Sequence, residues 1–131
     1  MQVKQRAGQA ATPAGNEHFS GQVAMATLFE ADGPGALNSH HVHFAPGART
    51  HWHSHPDGQV LLILEGRGRT QVAGGAVTDM ATGDAVHVPG GLQHWHGADP
   101  DAAMTHLSVT GHGGTAWDGP PVTDEEYAPS T

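Results

Sequence analysis

None of the 131 residues is a cysteine. That excludes a disulfide framework and thiol catalysis, and any metal site must be built without thiolates. Positive charge is scarce as well: five Lys and Arg stand against thirteen Asp and Glu, a formal charge of −8. A surface of that sign argues against nucleic acid or an anionic membrane as partner. No stretch is apolar and long enough to span a bilayer, and the opening MQVKQRAGQAATPAGNEHFSG lacks the apolar centre of a signal peptide. The expectation is a cytoplasmic protein. Long amphipathic helical periodicity is missing too, whereas nineteen Gly and nine Pro mark frequent turns between short elements. A single all-β domain follows.

What the chain has instead is histidine, twelve in all and too scattered to be a tag. Three alternate in GARTHWHSHPDGQVLLILEG, residues 47–66. On a strand, residues two apart share a face, so His51, His53 and His55 are expected to leave one side of one strand. Neighbours on that face lie about 7 Å apart, within reach of one ion with bonds of about 2.1 Å, while the outer two are about 13 Å apart. One neighbouring pair therefore ligates. The Pro56-Asp57-Gly58 turn returns Gln59 beside the end of the run, which selects His53 and His55.

Read in order, residues 1–20 form a polar arm that orders against a partner subunit, 21–118 a barrel, and 119–131 a Pro-rich tail with one helical turn at 123–127. Strands are expected at 23–29, 36–44, 51–55, 59–64 (ended by Gly66 and Gly68), 85–88, 93–97 and 103–110. A hairpin at 70–72 and 76–78 turns about Gly74-Gly75. About eight short strands with regular turns point to a double-sheet barrel. Parity puts His40, Val42 and Phe44 on one face of their strand, His41 and His43 on the other, and His96 on the face of His94. Met104, His106, Ser108 and Thr110 share the inward face of the last strand. A polar group there needs a partner or a role, and proton transfer suits His106. Trp52, Trp95 and Trp117 read as packing or subunit contacts.

Two spaced patterns carry a resemblance. Gly47, His53, His55, Gln59 and Gly66 fit G-x5-H-x-H-x3-E-x6-G with Gln in place of Glu, and Gly83, Pro89, Gly91 and His94 fit G-x5-P-x-G-x2-H-x3-N with Ala98 in place of Asn. These resemble the two motifs of the cupin superfamily. The resemblance implies a jelly-roll β-barrel with His53, His55, Gln59 and His94 as metal ligands. The segments PGART, WHSHPDGQ, GGLQHWHGA, AMTHLSV and VTDEEY are similar to the manganese-dependent, (R)-selective hydroxynitrile lyases of the cupin class. The chain departs from them in its surplus histidines at 40, 41, 43 and 51.

That likeness implies cleavage or formation of small cyanohydrins, for example mandelonitrile to benzaldehyde plus HCN. His106 would act as base, helped by His96 and His40, with Val42, Phe44, Leu61, Ile63, Leu92 and Thr110 as pocket walls. Four neutral ligands leave a divalent ion its full charge, which suits Lewis-acid chemistry better than redox cycling. Mn2+ leads the cofactor expectation, and the same donors accept Fe2+, Ni2+, Zn2+ or Co2+. The partners expected are a small-molecule substrate and further copies of the chain, as a homodimer or homotetramer through strand exchange. Two other readings stand beside the lyase: a dioxygenase using Mn or Fe, and a non-catalytic cupin binding a metal or small ligand.

Overall fold

Alternating apolar and polar residues pair into ten strands in the computed structural model, which describes residues 1–128. They are β1 (Thr12–Pro13), β2 (Phe19–Ser20), β3 (Val23–Phe29), β4 (Asn38–Phe44), β5 (Arg49–Thr50), β6 (Gln59–Val72), β7 (Thr78–Ala81), β8 (Ala85–Val88), β9 (His94–Ala98) and β10 (Met104–Thr110). A 3-10 turn (Arg6–Gly8) precedes them and α1 (Asp124–Tyr127) follows. Every pairing is antiparallel. One sheet runs β1-β3-β4-β10-β6-β8 and the other β7-β6-β9-β5-β2. The all-β, single-domain barrel expected from the sequence is the fold.

The fourteen-residue β6 belongs to both sheets, pairing β10 and β8 along its first half and β9 and β7 along its second. This corrects the expectation that Gly66 and Gly68 end the strand. They bend it instead. Gly66 takes φ +84°, and a Cβ there would run into the Ala103 carbonyl; at Gly68 it would meet Met104 and the Gly97 carbonyl. Side chains are thus excluded where the strand passes from one sheet to the other. The hairpin also differs from expectation: Thr70 pairs Thr78, so the return strand begins at 78 rather than 76. The histidine run is not a continuous strand. It is extended through isolated bridges, His53 to His94 and Ser54 to Ala116.

Inward residues of both sheets fill the core, with Phe44, Ile63 and Met104 at 0–2 % exposure. Burying each such side chain stabilises the fold by about 1.5–3 kcal/mol. The arm lies on its own chain here, β1 against β3 and β2 against β5. The tail returns over the second sheet. A capping box between Thr123 and Glu126 starts α1, and Tyr127 packs on Trp95, with the Arg49 and Arg69 guanidiniums over its ring at 4.3 and 5.2 Å from its centre. The expected helical turn is therefore present; Pro129–Thr131 of the tail lie outside the described residues.

Candidate metal centre

Backbone pairing delivers the histidines. His53 and His94 exchange hydrogen bonds, each N–H donating to the other's carbonyl at 2.9 and 2.8 Å, so their rings lie side by side with centroids 4.3 Å apart. The His55 carbonyl accepts from Gly58 and Gly91 at 3.0 and 2.9 Å, which ties the turn to the loop before β9. Its ring lies 5.0 Å from that of His53 and 5.3 Å from that of His94. Gln59, at the start of β6, sets its carboxamide oxygen 3.1 Å from His94 Nε2.

The three rings share one tautomer. Nδ1–H of His53 donates to the His51 carbonyl at 2.7 Å, that of His55 to the Gly114 carbonyl at 3.0 Å and that of His94 to the Leu92 carbonyl at 3.1 Å. A carbonyl can only accept, so each Nδ1 carries the proton and each Nε2 a lone pair. His55 Nε2 is buried with no hydrogen-bond partner among the described residues. Burial holds all three imidazoles neutral, lowering His94 to about 4, His53 well below its ordinary value and His55 below it.

The His94 lone pair therefore faces the Gln59 carboxamide, and a cation held between the two would take the carboxamide oxygen and the imidazole as neighbouring donors. Two ligands at right angles, with bonds of about 2.1–2.2 Å, stand about 3 Å apart, close to the spacing present. The His94 and Gln59 donors suit a divalent ion, while the histidines whose nitrogens all lie within 4.8 Å of one another are His53, His94 and His96, a set without His55.

A fourth imidazole crowds the site: nitrogens of His53, His94 and His96 lie within 4.8 Å of one another. His96 Nδ1 is 3.0 Å from His106 Nε2, however, across a hydrogen bond between two fully enclosed rings. Burial pushes His106 down to about 3 and His96 well below its usual value, so both are neutral. One proton lies in the shared bond, leaving one more for the two outer nitrogens. Whichever ring donates, one of His96 Nε2 and His106 Nδ1 is N–H and the other a lone pair. Both are buried without a partner among the described residues. The pair can take a proton at one end and release one at the other.

These groups line a cavity of about 230 Å³. That is below the roughly 300–1,000 Å³ of sites for drug-sized ligands, so a small molecule fits. Of the expected site residues, His53, His55, Gln59, His96, His106, His40, Val42, Phe44 and Thr110 line it. His94 is fully buried behind Gln59. Leu61, Ile63 and Leu92, expected as walls, do not line it. Leu61 and Ile63 face inward on β6 but are enclosed by neighbouring strands, at 0 % and 2 % exposure; Leu92 sits half-buried in the turn before β9. His40 stands at the mouth, 3.8 Å from the Glu30 carboxylate, and desolvation lowers its pKa. His51 lies outside the cavity, its N–H donating to the His18 carbonyl.

Sequence reasoning missed the remaining wall. Ala14, His18 and Phe19 from the arm and Trp117, just before the tail, close the cavity, with Met25, Thr50, Ser108 and Thr115 completing its lining. Trp117 stacks on His18 at 4.4 Å and lies 4.6 Å from the His53 ring. Trp117, read as a packing or subunit contact, is a cavity wall, and no periodic pattern in the arm or in the segment after β10 signals it.

A family model described as a cupin domain matches residues 40–110. The (R)-mandelonitrile lyase of Granulicella tundricola is 43% identical over 129 residues, 97% of this chain and 98% of that protein. Among solved structures, a cupin-like protein of Thermotoga maritima superposes with a TM-score of 0.84 at 35% identity, covering 97% of this chain and 95% of that one. A cupin-2 domain of Rhodospirillum rubrum gives 0.70 at 24% identity, over 96% and 82% of the two chains, a likeness of fold alone. With both motifs on one barrel and the histidines they supply gathered inside it, the chain belongs to the cupin family.

Proposed function

We propose that this cupin is a metal-dependent lyase that cleaves or forms small cyanohydrins, with His53, His55, Gln59 and His94 holding the ion and manganese its first candidate. The observation that carries the metal reading is the common tautomer: three Nδ1–H groups fixed on backbone carbonyls, three Nε2 lone pairs turned inward. A hydrogen bond from the nitrogen that does not bind the ion fixes the tautomer and aims the other nitrogen at a metal. His55 is preferred to His96 as third imidazole because His96 Nδ1 is committed to His106 rather than to a carbonyl. A divalent ion among four uncharged donors keeps its full charge and supplies Lewis acidity to whatever binds beside it.

The lyase reading is supported by the 43% identity to the Granulicella protein and by the buried imidazole pair next to the donor set. The small apolar wall of Val42, Phe44 and Phe19 suits the aryl or alkyl group of a cyanohydrin. The outer lone pair of the His106–His96 pair accepts the hydroxyl proton. As it does, the oxygen's electron pair forms the carbonyl, the C–CN bond breaks, and its electrons leave on cyanide. The pair returns the proton to give HCN. His40, at the mouth, orients the incoming hydroxyl or relays that proton.

Protein loaded with Mn2+ and incubated with the two enantiomers of mandelonitrile tests this. Benzaldehyde should appear preferentially from the (R) form. No benzaldehyde above a metal-stripped control refutes the lyase, and oxygen uptake in its place favours the dioxygenase.

A further inference from the structure

Between β10 and α1 the chain forms no strand or helix, yet its middle is anchored twice. Ser54 and Ala116 exchange backbone hydrogen bonds at 3.1 and 2.8 Å, one residue along from His53. The Asp118 carboxylate accepts from the Gln93 carboxamide, one residue before His94. Trp117 lies between these anchors and is thereby laid against the histidine run. Its ring centre is 4.6 Å from that of His53, the planes tilted by 37°, and His53 in turn lies 4.3 Å from His94. From the arm, His18 stacks on the same indole at 4.4 Å and 11°, and Phe19 meets it edge-on at 5.7 Å.

Filling of space alone would be served by any large apolar side chain at 117. Indole differs from these in the electron density of its face, which attracts positive charge more strongly than that of any other side chain. That difference acts only where the neighbouring ring is electron-poor. In the metal-free chain His53 is not: burial keeps it neutral, with its Nδ1–H donated to the His51 carbonyl. An imidazole that gives its Nε2 lone pair to a divalent ion becomes so, because part of the ion's charge spreads over the ring.

We propose that Trp117 is a positioning residue of the metal centre, its π face stabilising the His53 imidazole more in the ion-bound form than in the free form. The role rests on the metal reading proposed for this site. It holds with His55 or with His96 as the further imidazole, because His53 belongs to either set. An interaction stronger in one state than in the other shifts the equilibrium towards the first. His18 and Phe19 contribute by holding the indole in its plane. The arm, remote in sequence from every ligand, thus supports the ion through Trp117.

Co2+ binding to the purified chain, read by competition with a chelator, tests this with Trp117→Phe and Trp117→Leu. Wild type, Phe and Leu should bind in that order, the dissociation constant rising by roughly two- to threefold with Phe and roughly five- to tenfold with Leu. Co2+ should also quench tryptophan fluorescence as it fills the wild-type site, and most of that quenching should vanish in Trp117→Phe. A role in packing alone predicts equal losses for Phe and Leu, both smaller than indole. Equal losses, or none, therefore overturn the proposal, and so does quenching that survives in Trp117→Phe. Wild type that takes up no Co2+ overturns it together with the metal reading, whereas tight wild-type binding with an unaffected Leu variant overturns this inference alone.

Discussion

Acid should unfold the metal-free protein through its interior, and the size of the effect follows from two histidines. His94 titrates at about 4 and His106 at about 3 in the folded chain, both lowered by burial, against 6.5 when solvated. A depressed imidazole is protonated in the unfolded chain first. Its contribution is therefore complete above pH 6.5 and is lost as pH falls, the loss levelling off only below the folded pKa. At pH 5 the unfolded chain carries nearly one extra proton at each site, a loss of about 2 kcal/mol per residue relative to pH 7. The two together remove on the order of 4 kcal/mol from a stability of about 5–15 kcal/mol. His53 and His96, shifted the same way, add to it.

Urea unfolding of chelator-treated protein, followed by tryptophan fluorescence at pH 7, 6 and 5, measures this. With a slope near 2 kcal/mol per molar, the midpoint should fall by about 2 M between pH 7 and 5. His106→Asn, which removes one of the titrating groups, should flatten the pH dependence by up to about 1.4 kcal/mol per pH unit. A midpoint that holds constant or rises on acidification refutes the reasoning, since the interior would then accommodate imidazolium.

Other consequences bear on the site and its frame. His106→Ala should lower mandelonitrile turnover by about 10²–10⁴-fold while bound metal, measured by elemental analysis, stays stoichiometric; loss of the metal as well would move His106 into the ligand set. Gln59→Glu introduces a negative donor, so calorimetry should show tighter metal binding while lyase turnover drops about tenfold or more as the ion's effective charge falls. Tyr127→Ala removes the ring clasped by Arg49 and Arg69 and should cost about 3–5 kcal/mol in unfolding experiments, whereas Tyr127→Phe, which keeps the ring and loses only the hydroxyl bond to the Ala98 carbonyl, should cost about 1 kcal/mol.

The parts of this design legible in the sequence are those set by local geometry. A period of two sorts side chains to opposite faces, which is why His40, Val42 and Phe44 were correctly grouped, and likewise His106, Ser108 and Thr110. A fixed offset across one turn brings His53, His55 and Gln59 together whatever surrounds them. Where the sequence misled, long-range contacts decided. Gly66 and Gly68 look like breaks, yet the approach of Ala103 and Met104 makes them the bend of a strand shared by two sheets. Leu61 and Ile63 have the parity of pocket walls, but parity says which way a residue faces and not what stands in front of it.

By itself, the sequence determined the fold class and the short-range spacing that carries His53, His55 and Gln59 to one wall of the cavity, because pattern and spacing act within a few residues. Only the tertiary structure decided that His96 and His106 share a hydrogen bond, since β9 and β10 are separated by β6 and meet across the barrel interior. It likewise decided that His18 and Trp117, near opposite ends of the chain, close the cavity as a stack. Enclosure is what keeps His96 and His106 neutral and that space selective, and enclosure is a property of all the strands at once.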